Sequence, residues 1–306
     1  MELYQLRSFA AVAELGHLTR AAERLHVSQP AVSAQIKALE DDLGLPLFRR
    51  SASGMTLTPA GARLLPLASR IIGAATELRS QASALRGEVA GHLRVGTLAD
   101  PAFLRLPDVL ARAVERHPLL HLELRHEVTG EAFRKVVEGE LDASFYYGGL
   151  SHPAVESLPL RRVTYVVVAP SAWTGRLRDD DWTSVAALPW VMAPAISSHH
   201  ALAQALFAGR GRVPDTIVEA DNETVVHSLV VAGLGAGLMR EDLADAAVRA
   251  GDVAVWNGAR LDTTLQFIVP RGRADDPAIA ALAGLVRDGW PDAPRAAAAA
   301  NHAAAG

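Results

Sequence analysis

The 306-residue sequence predicts an α+β chain with three parts: an N-terminal winged helix-turn-helix, a long linker helix and a two-lobed α/β body. Three observations carry that expectation. Residues 3–43 hold apolar positions at helical spacing in three short runs, the last with small, polar and basic residues on its other face. Residues 64–85 carry an apolar repeat of seven. From His92 onward, strand-like runs alternate with helix-like ones.

Leu3, Leu6, Phe9, Ala10, Val12 and Ala13 line one side of a first helix that ends near Gly16. Thr19 can cap a short second helix, Arg20 to His26, with Ala21, Ala22 and Leu25 inward, and Val27 fills the turn. Ser28 is the candidate N-cap of a third helix, and Pro30 falls in its first turn, where no intrahelical N–H is needed. Val32, Ile36, Leu39 and Leu43 share its inner face. Pro30, Ala34 and Lys37 project oppositely, flanked by Gln29 and Ser33, and Gly44 stops the helix. This is a helix-turn-helix pattern. Residues 45–58 (LPLFRRSASGMTLT) read as a hairpin that tucks in Leu47 and Phe48, with Arg49 and Arg50 leading into the turn SASG.

Thr58-Pro59 opens a long helix reaching about Arg86, which Pro66 should bend. Leu64, Ile71, Leu78 and Leu85 recur every seven residues, with Ala68, Ala75 and Ala82 offset by four. Such a seam needs a partner helix, so self-association is expected; packing on its own domain is the alternative. GEVAG at 87–91 separates linker from body. Candidate strands follow at Leu93–Gly96, Leu120–Glu127, Ala143–Tyr146, Tyr165–Val168, Trp190–Met192, Thr216–Glu219, Gly235–Leu238 and Leu265–Val269. Helices are expected near 101–116, 130–138, 199–208, 222–232, 241–249 and 276–289, in a layered structure with mostly parallel sheets. The expected division is a head over 1–58, a linker over 59–90, a body over 91–295 and a disordered tail over 296–306. Lobe I of the body takes about 91–163 and 269–295, and lobe II about 164–268.

Residues 1–87 hold ten Lys/Arg against seven Asp/Glu, and the remainder twenty against twenty-seven. A mildly basic head on an acidic body suits a nucleic-acid-binding module joined to something that is not one. The absence of cysteine excludes disulfides, thiolate metal sites and thiol redox sensing. No apolar run approaches the roughly 18 residues of a membrane span. The opening MELYQLRSFAAV lacks the basic-then-apolar order of a signal peptide, so a cytoplasmic location without membrane contact is expected.

The run LTRAAERLHVSQPAVSAQIKALEDDLGLPLFRR at 18–50, followed by LTPAG at 57–61, closely resembles the DNA-binding signature of LysR-type transcriptional regulators. The later GELDASF and VVAGLGAGLM segments also fit that family. The resemblance implies a body like a periplasmic binding protein and a dimer of dimers held partly by linker helices. It further implies sequence-specific binding to double-stranded promoter DNA, allosteric control by a small-molecule effector, and RNA polymerase as a further candidate partner. In that setting Gln29 and Ser33 suit base edges, Lys37 suits phosphate or guanine, and Arg49 and Arg50 suit phosphates. Pro30 and Ala34 complete the face; Ala34 departs from the polar residue many relatives carry and offers only thymine-methyl contact.

For the effector, strand ends and helix N-termini facing a cleft are the places to look. Thr97, Leu98 and Asp100 follow the first body strand and precede the helix expected at Pro101. Ser197, Ser198 and His199 precede that of the second lobe, and together they offer N–H donors and hydroxyls to a polar or anionic ligand. Tyr146, after the third body strand, and Asn222 to Thr224, opening another helix, are further candidates, and ordinary N-capping is the alternative for the residues at helix starts. Other constellations fail. GLGAG at 233–237 sits between helix and strand in the wrong order for a dinucleotide loop, Pro118 separates His117 from His121, and His199-His200 lacks ligand partners nearby. With neither nucleophile elbow nor paired carboxylates, catalysis, cofactor and metal are not expected. The rival readings, an enzyme, a transport-type binding protein or a constitutive architectural DNA binder, each leave part of this pattern without a use.

Overall fold

Three short helices form the head: α1 (Leu3–Leu15), α2 (Leu18–Leu25) and α3 (Gln29–Leu43). The computed structural model describes residues 1–51, 54–98, 100–178, 181–210 and 214–293; the middle of the SASG turn and the expected tail lie outside them. Ser28 caps α3, its hydroxyl accepting the Ala31 N–H at 3.3 Å, with Pro30 in the first turn and Gly44 at the end. Thr19, expected as a cap, lies inside α2. The helix starts two residues earlier than expected, at Leu18, because the His17 carbonyl already accepts the Ala21 N–H.

The wing pairs β1 (Phe48–Ser51) antiparallel with β2 (Gly54–Leu57). Glu40 ties α3 to it, one carboxylate oxygen accepting the N–H groups of Leu47 at 2.7 Å and Phe48 at 3.1 Å. Leu6, Phe9, Val12, Val32, Ile36 and Leu39 meet Leu47 and Phe48 in a closed core, with Phe9 edge-on to Phe48 at 5.5 Å. Next comes α4 (Pro59–Ala84), capped by the Thr58 hydroxyl on the Gly61 N–H at 2.9 Å. A Cβ on Gly61 would come within 2.2 Å of the Leu47 carbonyl, so only glycine lets α4 start flush against the wing.

The body runs β3 (Ala90–Thr97), α5 (Leu106–Arg116), β4 (Leu119–His126), α6 (Thr129–Glu138), β5 (Ala143–Tyr147) and β6 (Val155–Pro170). It continues with α7 (Trp182–Ala186), β7 (Trp190–Met192), α8 (Ser198–Phe207), β8 (Thr216–Glu219), α9 (Glu223–Val231) and β9 (Gly237–Arg240). It closes with α10 (Glu241–Ala250), β10 (Val253–Pro270) and α11 (Pro277–Gly289). Among the described residues the main sheet has the order β4-β3-β5-β10-β6-β9.

The sheet is mixed, not mostly parallel. β4, β3 and β5 are parallel, but β10 runs antiparallel to β5 and β6, and β9 antiparallel to β6. The strands expected at 165–168 and 265–269 are only parts of β6 and β10, two long strands that pair along their length and belong to both lobes. Pro159, Arg161 and Arg162 in β6, and Asn257-Gly258 in β10, interrupt the apolar pattern. In lobe I, the start of β6 and the end of β10 complete the β4-β3-β5 sheet. In lobe II their other halves carry β9, and Trp190 bridges to Ala236 to bring in the parallel pair β7-β8. The first body helix begins at Leu106, not 101, because Asp100 (φ 65°) and Arg105 (φ 50°) are left-handed and the residues between them form turns.

Candidate functional site

On the head, the outer face of α3 is open: Gln29, Pro30, Ala34 and Lys37 are exposed and Ser33 is half-buried beside them. Arg49 and Arg50 are both exposed in β1, opposite Thr56 and Met55. Neighbouring strand residues point to opposite sides, so the two guanidinium groups flank the hairpin.

The linker seam divides in two. Ile71, Leu78 and Leu85 are 44%, 72% and 90% exposed, a stripe of large apolar side chains facing solvent, with Ala82 exposed and Ala75 half-buried. Leu64 and Ala68 do not belong to that stripe. They pack into the head's core, Ala68 fully buried, because α4 crosses α1 at that level. Further along, α4 docks on lobe I: the Ser80 hydroxyl donates to Asp276 at 2.9 Å in a buried contact. Arg273 binds the other Asp276 oxygen at 3.0 Å and Asp142 at 2.5 Å. The head also touches lobe I directly. Glu14 of α1 pairs with Arg24 at 2.8 Å and with Arg125 at the end of β4 at 3.4 Å. Burial pushes the Glu14 carboxyl up, but the Arg24 hydrogen bond and the Arg125 charge outweigh it and hold it below the ordinary value.

Between the lobes lies a cavity with a free volume of about 70 Å³. Leu98, the segment 126–129 and Tyr147 form its lobe I wall. Ala193, Ser197, Ser198, His199 and Leu202 face them, with 220–223 and Val226 beside and Tyr165 behind. The Ser197 hydroxyl caps α8 by accepting the His199 N–H at 3.2 Å, while the Ser198 hydroxyl reaches across to that of Thr129 at 3.1 Å. A Cβ on Gly130 would sit 2.4 Å from the Ile196 carbonyl, so the start of α6 lies against the turn before α8. The ring of His199, a half-buried residue, packs on Tyr165, 5.3 Å between rings, with Nε2 3.1 Å from the Leu238 carbonyl. Burial pushes it down to about 4, so at neutral pH the ring is uncharged and Nε2 carries the proton it donates to Leu238.

Leu98, Ser197, Ser198 and His199 therefore come together as the sequence suggested, and four other residues stand differently. Tyr146 points to the opposite side of β5 and packs on Phe133, centroids 6.3 Å apart; Tyr147, one residue on, faces the cavity. Thr97 is buried and its hydroxyl donates to the Arg125 carbonyl at 3.3 Å. Asp100 accepts the Phe103 N–H at 2.9 Å and binds Arg240 at 2.8 Å, so it serves a turn and an ion cluster. Thr224 lies with Thr97 and Asp100 on an adjoining groove, its N–H given to the Asn222 cap at 2.8 Å. The helix N-terminus that opposes α8 is that of α6, because α5 starts too late. Residues the sequence reading missed are Thr129, Tyr147 and Tyr165, whereas Asn222 and Glu223, from the 222–224 stretch, do line the cavity. Val128-Thr129-Gly130 just before a helical run was the signal available for the first.

Arg240 is buried and stacks on Phe103 at 3.5 Å, with Asp242, Glu223 and Asp100 around its guanidinium. Among the described residues no group of three or more His, Asp or Glu side chains gathers as for a metal ion, and no helix is long and apolar enough to cross a membrane.

Two family models match the chain: "Bacterial regulatory helix-turn-helix protein, lysR family" over residues 3–62 and "LysR substrate binding domain" over 86–291. The chain is 32% identical over 243 residues to the HTH-type transcriptional regulator IlvR of Caulobacter vibrioides, covering 78% of this chain and 82% of that one. Among solved structures it is similar to ArgP of Mycobacterium tuberculosis, at 25% identity and a TM-score of 0.67 over 95% of this chain and 98% of the other. It is also similar to full-length CbnR complexed with its target DNA, at 27% identity and a TM-score of 0.60 over 94% and 99%.

Proposed function

The chain belongs to the LysR family of bacterial transcriptional regulators, with a DNA-binding head and an effector-binding body and no enzymatic role. On that premise we propose that a small molecule held between its lobes sets how paired heads engage promoter DNA. The observation that supports this reading most is the interlobe cavity, whose walls meet at the Ser198–Thr129 hydroxyl contact. A ligand with different affinity for two lobe arrangements shifts their balance, and nothing else about its binding matters. The Ser80–Asp276 contact then carries lobe I movement to the linker helix.

In this reading Gln29 and Ser33 meet base edges, Lys37 reaches phosphate or guanine, and Pro30 and Ala34 give apolar contact. Arg49 and Arg50 hold the backbone on either side of the wing. A second copy covers Ile71, Leu78 and Leu85, and the working units are 1–58, 59–90 and 91–295. That a similar protein was solved on its target DNA supports the head's assignment. Thermal-shift screening of the full chain against a metabolite library, repeated on Ser198→Ala and Thr129→Val, tests the cavity. Hits that lose their shift in both variants support it; hits that keep it in both put the ligand elsewhere.

A further inference from the structure

The walls of the interlobe cavity are electrically lopsided. Among the described residues no lysine or arginine lines it, whereas Glu127, Asp221 and Glu223 do; Glu127 is neutralised by Lys135 at 2.5 Å, which leaves Asp221 and Glu223 as the acidic side. Behind Glu223, one guanidinium, that of Arg240, serves three carboxylates: Glu223 at 3.6 Å and Asp100 and Asp242 at 2.8 Å each. The cluster is short of positive charge on the side that faces the cavity. Burial, with Asp242 and Asp100 nearby, pushes the Glu223 carboxyl up even though Arg240 pulls the other way. Tyr147, 9% exposed, on the lobe I wall next to it, has a buried hydroxyl that makes no hydrogen bond of normal geometry.

At the other end the Glu127 carboxylate is taken up by Lys135, and backbone N–H groups and hydroxyls face the cavity. α6 has Val128 at its N-cap, which brings no side-chain acceptor, so its first N–H groups are left for another partner. The start of α8 lies opposite, and the hydroxyls of Ser197, Ser198 and Thr129 stand between the two. Two helix N-termini and three hydroxyls suit a carboxylate. Between these ends Leu98, Leu202 and Val226 supply an aliphatic wall.

We propose that the cavity takes a small aliphatic α-amino acid. Its carboxylate lies on the starts of α6 and α8, its ammonium points toward Glu223 and the Tyr147 hydroxyl, and its side chain rests on Leu98, Leu202 and Val226. This rests on the cavity being the effector site. The test is calorimetric titration of the full chain with L-alanine, L-valine and L-leucine, beside isovalerate, isobutylamine and succinate as probes lacking one end or doubling the negative one. Saturable binding is expected of the amino acids alone, weakened roughly tenfold or more in Glu223→Gln, where a charge-assisted hydrogen bond is lost. Ser198→Ala should weaken it too. If isovalerate or succinate binds as tightly as L-valine and Ser198→Ala abolishes that binding, the amino-acid class falls while the cavity stands. If an amino acid binds and neither variant changes it, both fall. The absence of binding by all three amino acids at millimolar concentration also overturns the class.

Discussion

Single residues on the head and in the cavity have separable signatures. Arg49 and Arg50 reach out from the wing with no acidic partner in the hairpin, so in the proposed reading their worth lies in counterion release. Arg49→Ala with Arg50→Ala should weaken binding to all DNA sequences alike and flatten the salt dependence by about one unit of slope per lost phosphate contact. Filter binding over a salt series checks this, and an unchanged slope removes the wing from the interface. His199 gives a pH signature. Its folded value of about 4 lies below the ordinary 6.5, so the folded chain binds fewer protons than the unfolded one between those limits. The stability it confers is complete above about 6.5 and drains as pH falls toward 4. The thermal midpoint of the wild type should drop across that window more than that of His199→Gln; parallel curves would mean that the ring is not desolvated.

Elements show what a seven-residue repeat can and cannot say. Leu64, Ala68, Ile71 and Leu78 read alike in sequence, but α4 spends the first two on its own head and offers the others to solvent. Ile71→Asp with Leu78→Asp should abolish linker pairing by burying unpaired charge, with head and body still folded. Sedimentation showing an unchanged assembly would count against the seam. The repeat was legible and its division was not, because periodicity places side chains on a face without saying what crosses it. The same limit explains Tyr146 and Tyr147: β5 was found, but which of two adjacent tyrosines turns toward the cavity depends on which side lobe II lies. β7 and β8 were legible to the residue, as short apolar or β-branched runs with clear breaks. The remaining stretches of β6 and β10 were not, since Pro159, Arg161, Arg162 and Asn257-Gly258 break the pattern around the buried Leu160, Val163 and Trp256. Asp100 and Arg105 hid the true start of α5, because non-glycine residues in the left-handed region give little sequence warning.

Across the whole molecule, the Glu14–Arg125 pair clasps the head to lobe I one residue from His126, which lines the cavity. Glu14→Gln should release that clasp, raising hydrogen exchange in α1 and β4 together. Because the Glu14 carboxyl lies below its ordinary value, the clasp is kept at neutral pH and lost only as pH falls through the acidic carboxylate range, where wild type and variant should converge. Equal exchange at neutral pH would show that the head is held by the linker alone. The two long strands have a further consequence, in the order of synthesis. β10 inserts between β5 and β6, yet some eighty residues of lobe II separate it from β6 in the chain. As the protein leaves the ribosome, the head and linker are complete early, while β5 keeps an open hydrogen-bonding edge until residue 270 has emerged. β6, whose neighbours β9 and β10 both come later, waits with it, and these unpaired edges are what the factors that guard nascent chains have most to shield.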